Sequence, residues 1–327
     1  YLDNIFFSTT NCAPPPTVVC KNATVALNGN GNYTLVAADV FNAAASTNNC
    51  AGALTVTNIS PATVSCAQVG QTIPVTVTVQ DACGNTASCI AQITVQEGSA
   101  LPGGWSSNNV GTANGSGSYK PCTGAEFTVT ASGFSTASAD VMHLVSRQLC
   151  GNGEIIARVA NVSGGGWGGV TIRESLTKKK KKVALKTQLN SIIRREIRAT
   201  TNGAASILNF NRPQDVWLRL VRSGSTFTGY TSSNGTTWTF AFSTPLSMSG
   251  CVQVGVFSES INTATTTTAT FSNVSVVGSG SSLAAGLPDS ELPSENGEQV
   301  RVFPNPTTGE VTIDLDIHAG KPGTIQV

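Results

Sequence analysis

Apolar residues and threonine alternate through much of this chain, and that alternation restricts its fold more than any other feature. In Thr24-Val25-Ala26-Leu27, Leu54-Thr55-Val56-Thr57 and Pro74-Val75-Thr76-Val77-Thr78-Val79 every second side chain is apolar. A period of two is that of a strand with one buried and one wet face. Asn28-Gly29-Asn30-Gly31, Ser60-Pro61 and Cys83-Gly84-Asn85 supply turn chemistry between these runs. A helical protein would need Ala, Leu, Glu and Lys on its surface, yet only 11% of residues are charged, against roughly 25% in an ordinary soluble domain. No apolar run approaches the ~18 residues of a membrane-spanning helix. The pattern predicts an all-β chain.

Nine cysteines stand at 12, 20, 50, 66, 83, 89, 122, 150 and 251, with no CxxC pair and two histidines in the chain. Zinc sites want closely paired cysteines or cysteine with histidine. Scattered cysteines point instead to disulfides and an oxidising compartment.

Composition divides the chain into residues 1–16, a terminal strand and linker; 17–97, a small sandwich; 98–103, a hinge; 104–278, a larger sandwich; 279–298, a Gly/Ser/Pro-rich then acidic linker; and 299–327. In the second segment, Cys20-Lys21-Asn22-Ala23-Thr24-Val25, Ala38-Asp39-Val40, Asn49-Cys50, Val64-Ser65-Cys66 and Val79-Gln80-Asp81-Ala82-Cys83-Gly84-Asn85 resemble the HYR type of immunoglobulin-like domain of secreted bacterial surface proteins. Cys12 and Cys83 add to the four cysteines usual in that pattern, and six cysteines allow fifteen pairings. Beside that resemblance the expected bridges are Cys50–Cys66, Cys20–Cys89 and Cys12–Cys83.

The fourth segment carries Gly153-Glu154-Ile155-Ile156-Ala157-Arg158-Val159, then residues 165–174 (Gly-Gly-Trp-Gly-Gly-Val-Thr-Ile-Arg-Glu), Trp217-Leu218-Arg219-Leu220, Phe227-Thr228-Gly229-Tyr230 and residues 233–238 (Ser-Asn-Gly-Thr-Thr-Trp). These runs, in this order, are similar to concanavalin-like jelly-roll domains, which serve as lectins, glucanases or inert modules. The resemblance implies fold rather than function. Of its three cysteines, Cys150 is paired with Cys251, and Cys122 is left either free or linking subunits.

Residues 300–313 read Val-Arg-Val-Phe-Pro-Asn-Pro-Thr-Thr-Gly-Glu-Val-Thr-Ile. With Phe303, Pro304, Asn305, Pro306 and Gly309 as its core, this resembles the start of the C-terminal type A sorting domain of type IX secretion in Bacteroidota. The resemblance implies the secretion machinery as a partner and an extracellular or cell-surface location. Residues 1–7 repeat the pattern of residues 270–276. They read equally as the last strand of a preceding domain, a strand donated to a neighbouring subunit, or a generic strand.

Charge is uneven. Residues 147–222 hold 15 of the 19 lysines and arginines against four of the 18 acids, an excess of eleven, while the rest of the chain has an excess of ten negative charges. The densest part, Lys178 to Lys182, suits a solvated hairpin tip, an acidic polysaccharide or lipopolysaccharide, or the acidic linker of a neighbouring copy. No nucleic acid is expected, because aromatic residues do not interleave with the lysines. Alternation sets Thr171 and Arg173 opposite Val170 and Ile172, and Trp217 and Arg219 opposite Leu218 and Leu220. If those polar faces belong to one sheet, Trp167, Arg173, Trp217 and Arg219 line a sugar-binding surface. If not, the tryptophans are core and the arginines are cross-strand partners of Glu154 or Glu174.

No catalytic constellation is legible. The acids of the fourth segment, chiefly Glu126, Asp140, Glu154, Glu174, Glu196, Asp215 and Glu259, form no paired motif; His143 and His318 lie far apart, and no GxSxG elbow occurs. Asp39, Asp81 and Asn85 offer oxygens that suit Ca²⁺, and serve equally as turn formers without a metal. The sequence therefore leads to a non-enzymatic extracellular structural or adhesive protein, a subunit of a surface fibre or adhesin that self-associates by strand addition. Its alternative is a carbohydrate-binding accessory region of a larger secreted glycoside hydrolase.

Overall fold

The computed structural model describes residues 14–278 except Asn190. Cys12, the strand at 1–7, the linker at 279–298 and the sorting motif at Phe303, Pro304, Asn305, Pro306 and Gly309 lie outside the described residues. Among the described residues the fold is all-β, with 57% strand and 4% helix.

The first sandwich has a four-stranded sheet in the order Ala23–Ala26, Thr86–Gln96, Thr72–Gln80, Thr55–Ser60, whose first pair is parallel, and a two-stranded sheet of Asn32–Thr34 with Thr63–Ser65. The alternation seen in the sequence decides its inside: Val75, Val77 and Val79 from one strand meet Ala91, Ile93 and Val95 from the next, all fully buried, while the threonines between the valines face outward or lie half-buried.

The second sandwich has two seven-stranded sheets. Sheet A runs Ser206–Phe210, Ile193–Arg198, Lys182–Thr187, Trp167–Arg173, Cys251–Glu259, Met142–Cys150, Ser106–Val110. Sheet B runs Thr239–Pro245, Thr226–Ser232, Trp217–Ser223, Gly153–Ser163, Thr266–Gly278, Glu126–Ser132, Asn114–Lys120. Their facing sides close one core, with Val170, Ile172, Val183, Leu185, Val254 and Val256 from sheet A against Ile155, Ala157, Leu218, Leu220, Phe227 and Phe271 from sheet B.

Four disulfides hold the described residues. Cys20 bonds Cys89 and Cys150 bonds Cys251; the latter two stand directly opposite in the antiparallel register of their strands. The expected Cys50–Cys66 and Cys12–Cys83 bridges are corrected, because Cys50 bonds Cys83 and Cys66 bonds Cys122. Strand register accounts for the first change. Thr55 pairs with Gln80, which carries the loop before Thr55 alongside the turn at 81–85. Cys66 instead starts a short 3₁₀ turn, its sulfur so close to Gly31 that a Cβ there would lie 2.7 Å away. Gly31 has φ +75°, so both its backbone and its surroundings require glycine.

The Cys66–Cys122 bond joins the two sandwiches and replaces the expected free or intersubunit Cys122. Beside it, Glu97 Oε1 accepts from the backbone N–H groups of Cys122 and Thr123 at 2.9 and 2.8 Å, and Oε2 accepts from the Thr123 hydroxyl at 2.6 Å. The Thr123 hydroxyl is the chief cause that holds the Glu97 carboxyl below its ordinary range. The segment at 98–103 is thus bracketed by a covalent bond and a clamp. A cavity of about 260 Å³ beside it is lined by Pro102, Trp105, Tyr119, Pro121 and Phe127.

Replacing both Cys66 and Cys122 by serine should leave the circular dichroism of the chain unchanged and speed limited proteolysis within residues 98–103. Mass mapping of the fragments checks both the cleavage site and the disulfide pairing.

Candidate functional site

Four adjacent strands of sheet A alternate core residues with charged ones. Lys182, Ala184 and Lys186 share a face, as do Arg194, Glu196 and Arg198, and the register sets these rows beside Thr171 and Arg173 and beside Glu259. This is the face turned away from sheet B, because the residues of the other parity fill the core. Asp140 reaches it from the loop that precedes Met142–Cys150.

These charges form one alternating chain. Asp140 Oδ2 accepts from Arg198 Nη1 at 2.7 Å and lies 3.2 Å from Arg173 Nη2, while Lys182 Nζ is 2.8 Å from Asp140 Oδ1. The same Lys182 Nζ donates to Glu196 Oε1 at 2.8 Å; Lys186 Nζ then bridges Glu196 Oε2 at 2.6 Å and Glu259 Oε2 at 2.8 Å. All seven side chains are buried. At the Lys186 end the ring of Trp167, also buried, packs with the Arg194 guanidinium 4.3 Å from its centroid and Lys186 Nζ at 5.3 Å.

Backbone carbonyls complete the arginines. Arg173 donates to Ser175 O and Thr177 O, and Arg198 to Gly203 O, Ala137 O, Lys178 O and Lys180 O. Three loops are thereby tied to the buried chain. The lysine run is divided as a result: Lys178 and Lys179 are exposed, Lys180 and Lys181 half-buried, and Lys182 fully buried as the first residue of its strand. The solvated-tip reading is correct for the first two and corrected for Lys182.

Burial pushes the Asp140 carboxyl upward, but Lys182, Arg198 and Arg173 more than reverse this and hold it below the ordinary range. Glu196 is likewise opposed by burial and brought down to about 2 by Lys182 and Lys186. Burial lowers Arg173. Lys186, despite burial, is raised by Glu259 and Glu196.

The expected ligand surface does not form. Trp167 and Arg173 lie on sheet A within this chain, whereas Trp217 and Arg219 lie on sheet B. Two different sheets cannot present the four residues on one face. Arg219 is a cross-strand partner of Glu154, donating through Nε and Nη2 to Oε2 at 3.0 and 2.7 Å. Trp217 sits half-buried beneath the turn at 232–237, where a Cβ on Gly235 would approach its ring to 2.7 Å. That turn is fixed by Asn234 Oδ1, which accepts from Thr236 and Thr237 N–H, and by Ser232 Oγ, which accepts from Asn234 and Gly235 N–H.

The oxygens considered for Ca²⁺ are engaged locally. Asp81 accepts from Cys83 N, Asn85 N and Asn85 Nδ2 at 2.9, 2.8 and 3.0 Å. Burial works against its ionised form, and these hydrogen bonds outweigh it and lower its pKa. Asp39 Oδ2 accepts from Val36 N and the Tyr33 hydroxyl. These are the turn and cap roles that the sequence offered as the alternative. Cys50 and Cys83 lie beside Asp81, but their sulfurs are bonded to each other and offer no thiolate.

One arrangement escaped sequence reasoning. His143 is buried between Ser107 Oγ, 2.7 Å from Nε2, and Asn109 Oδ1, 2.6 Å from Nδ1. Burial lowers its pKa, which favours neutral imidazole. The hydroxyl of Ser107 also accepts the N–H of Gly117 at 3.0 Å. The only sequence signal was the i, i+2 spacing of Ser107 and Asn109.

No family model and no curated protein sequence matches this chain. Among solved structures, a functionally unknown protein from Saccharomyces cerevisiae is 15% identical over 54% of this chain and 97% of its own, with a TM-score of 0.42. The carbohydrate-binding module CBM66 from Bacillus subtilis is 18% identical over 53% and 94%, with a TM-score of 0.35. A lectin from Bauhinia forficata in complex with GalNAc is 11% identical over 53% and 99%, with a TM-score of 0.31.

Lys182→Met removes the cation shared by Asp140 and Glu196 and should cost roughly 3–5 kcal/mol, whereas Lys179→Met on the exposed tip should stay within about 0.5 kcal/mol. Urea titration of both variants measures the difference. Asp140 and Glu196 have depressed pKa values, so their stabilisation is complete above the ordinary carboxylate range and lost as pH falls from 4.5 towards about 2. Lys186 is raised, so its share is complete below 10.5 and lost above it. The urea midpoint followed from pH 2 upward should fall along the acid limb in wild type and change less there in a Glu196→Gln variant, which starts lower.

Proposed function

We propose that this chain is a section of an extracellular, non-catalytic adhesive protein built from consecutive β-sandwiches, with surface polysaccharide as its partner. The observation that carries this reading is the covalent coupling of the two sandwiches through Cys66–Cys122, reinforced by Glu97. A tandem joined by one loop transmits a pull through that loop. Here a disulfide joins the two sandwiches in parallel with that loop. Four disulfides among the described residues further favour an oxidising, extracellular setting.

The finer parts of the proposal rest on sequence resemblance. Export by type IX secretion from a Bacteroidota-like cell follows from the motif around Phe303 to Gly309. Self-association by strand addition would let consecutive copies build a fibre. The non-catalytic part is supported by the state of the buried acids. Glycoside hydrolysis needs one protonated carboxyl as general acid, a role that Asp140 and Glu196, buried and held ionised by cations, do not fit.

Beads coated with the full chain should adhere to polysaccharide-covered surfaces, and the protein should release no reducing sugar from them. Release of reducing sugar, or labelling of Ser107 by a fluorophosphonate, would overturn the non-catalytic reading. Beads that fail to adhere to any polysaccharide surface would overturn the adhesive one.

A further inference from the structure

The outward face of sheet B differs from that of sheet A in carrying aromatic rings that remain open. Arg219 pairs in register with Tyr230, and Tyr230 with Phe240, so the three side chains form a row across adjacent strands. Phe240 is 56% exposed, and Tyr230 and Trp238 are half-buried. The Tyr230 and Phe240 rings meet edge to face at 6.1 Å, and the Arg219 guanidinium lies 5.4 Å from Tyr230 and 5.8 Å from Trp238.

On the other side of Arg219 the row continues into Ile156, and Glu154 stands two residues along the same strand. Both bonds between Arg219 and Glu154 use a single carboxylate oxygen, Oε2, and the guanidinium atoms Nε and Nη2. That leaves Glu154 Oε1 as an acceptor beside Arg219 Nη1 as a donor, next to the guanidinium that lies over the Tyr230 and Trp238 rings. Both groups are only partly covered, at 24% and 30% exposure.

From this juxtaposition we infer that the outward face of sheet B, through Glu154, Arg219, Tyr230, Trp238 and Phe240, binds a neutral chain of pyranose sugars. A pyranose with equatorial hydroxyls presents a flat C–H face that stacks on aromatic rings. Its vicinal hydroxyls can each donate and accept, which matches an adjacent carboxylate oxygen and guanidinium N–H. The ion pair cancels its own charge and does not itself favour a polyanion; the exposed Arg158, opposite Trp217 in the register, is the cation that a polyanion would use on this face. The fixed pair also needs little reordering on binding, since each partner already holds the other in place. A protein partner would also use Tyr, Trp and Arg, and dimerisation is therefore an outcome that the test scores.

The inference deepens the adhesive reading and rests on it. Affinity electrophoresis of the full chain in gels containing hydroxyethylcellulose, galactomannan or alginate tests it. Wild-type protein should be retarded by at least one neutral polymer, with retention insensitive to salt. Phe240→Ala, whose side chain is 56% exposed, should weaken that retention about threefold to tenfold. Glu154→Gln, which keeps shape but removes the charge-assisted acceptor, should weaken it by a similar factor. Lys178→Ala with Lys179→Ala should leave it unchanged. Retention by alginate alone, abolished by salt and by the lysine substitutions, would overturn the inference in favour of the lysine turn. Concentration-dependent dimerisation lost in Phe240→Ala, without retention by any gel, would assign the face to a second copy and overturn it too. If adhesion of coated beads persists while neither sheet B variant alters retention, the site is wrong and the adhesive reading stands. If beads and gels both fail, the adhesive reading falls with it.

Discussion

Asp140 is a carboxylate that three cations share, and much of the second sandwich is arranged around the need to satisfy it. Removing a carboxylate or an ammonium from water costs several kcal/mol per ion. Coulomb attraction offsets this only where each charge has close, well-aligned opposite partners. In this chain it does: Arg173, Arg198 and Lys182 converge on Asp140, Lys182 passes to Glu196, and Lys186 passes from Glu196 to Glu259. Each interior member touches two or more opposite charges. Four cations against three anions leave one positive charge over, and the carbonyls of residues 137, 175, 177, 178, 180 and 203 surround the arginines that carry it.

Those carbonyls are the reason that sheet A has a closed face. The loops around 133–141, 174–181 and 199–205 are irregular backbone, which satisfies its polar groups on water or on side chains. Here two buried guanidiniums supply the donors, and the loops are drawn over the sheet. The buried guanidinium of sheet B, Arg222, shares the parity of the core residues Leu218 and Leu220 and donates to Gly224 O, Ser249 O and Gly250 O, so it does not serve the outward face. Arg219 has a carboxylate of its own, Glu154, in the same sheet, so it calls on no loop and its face stays open. The two arginines that sequence alternation placed in similar settings, Arg173 and Arg219, therefore have opposite fates.

What could be read from the sequence follows from this contrast. Strand patterning depends on neighbours two residues apart, so the all-β fold and the inward faces of Pro74 to Val79 and of Val170 and Ile172 were legible. The facing cysteines 150 and 251 lie at the ends of two such strands. By contrast, the Cys50–Cys83 and Cys66–Cys122 pairs depend on strand register and on how one sandwich meets the next, which no local pattern carries. The charged chain draws on residues 140, 173, 182, 186, 196, 198 and 259. Its visible trace was the i, i+4 placement of Lys182 and Lys186 on either side of Ala184, and the i, i+2 placement of Arg194, Glu196 and Arg198. Such a row suits a wet face as well as a buried one. Burial was decided by loops far away in sequence, and so Trp167 and Arg173 looked like ligand residues.

The buried chain also bears on why an uncharged protein concentrates its cations in one segment. Well-packed apolar residues of the same volume would often stabilise as much or more, so stability alone does not favour lysine and arginine at these sites. Apolar side chains, however, accept many neighbours, and a strand of valines can slip by two residues and still bury its inward face. In a chain so repetitive in valine and threonine, slipped pairings are the main competitors of the native one. A slip in sheet A would strand Lys182 or Lys186 without its acid and leave an unpaired charge in the interior, which costs several kcal/mol. The alternating charges therefore discriminate between registers that the alternating valines cannot tell apart. Sheet B has the same need with fewer charges, and its register shifts near Gly229 and Ile156 fall beside the one ion pair that crosses its strands, Arg219 with Glu154.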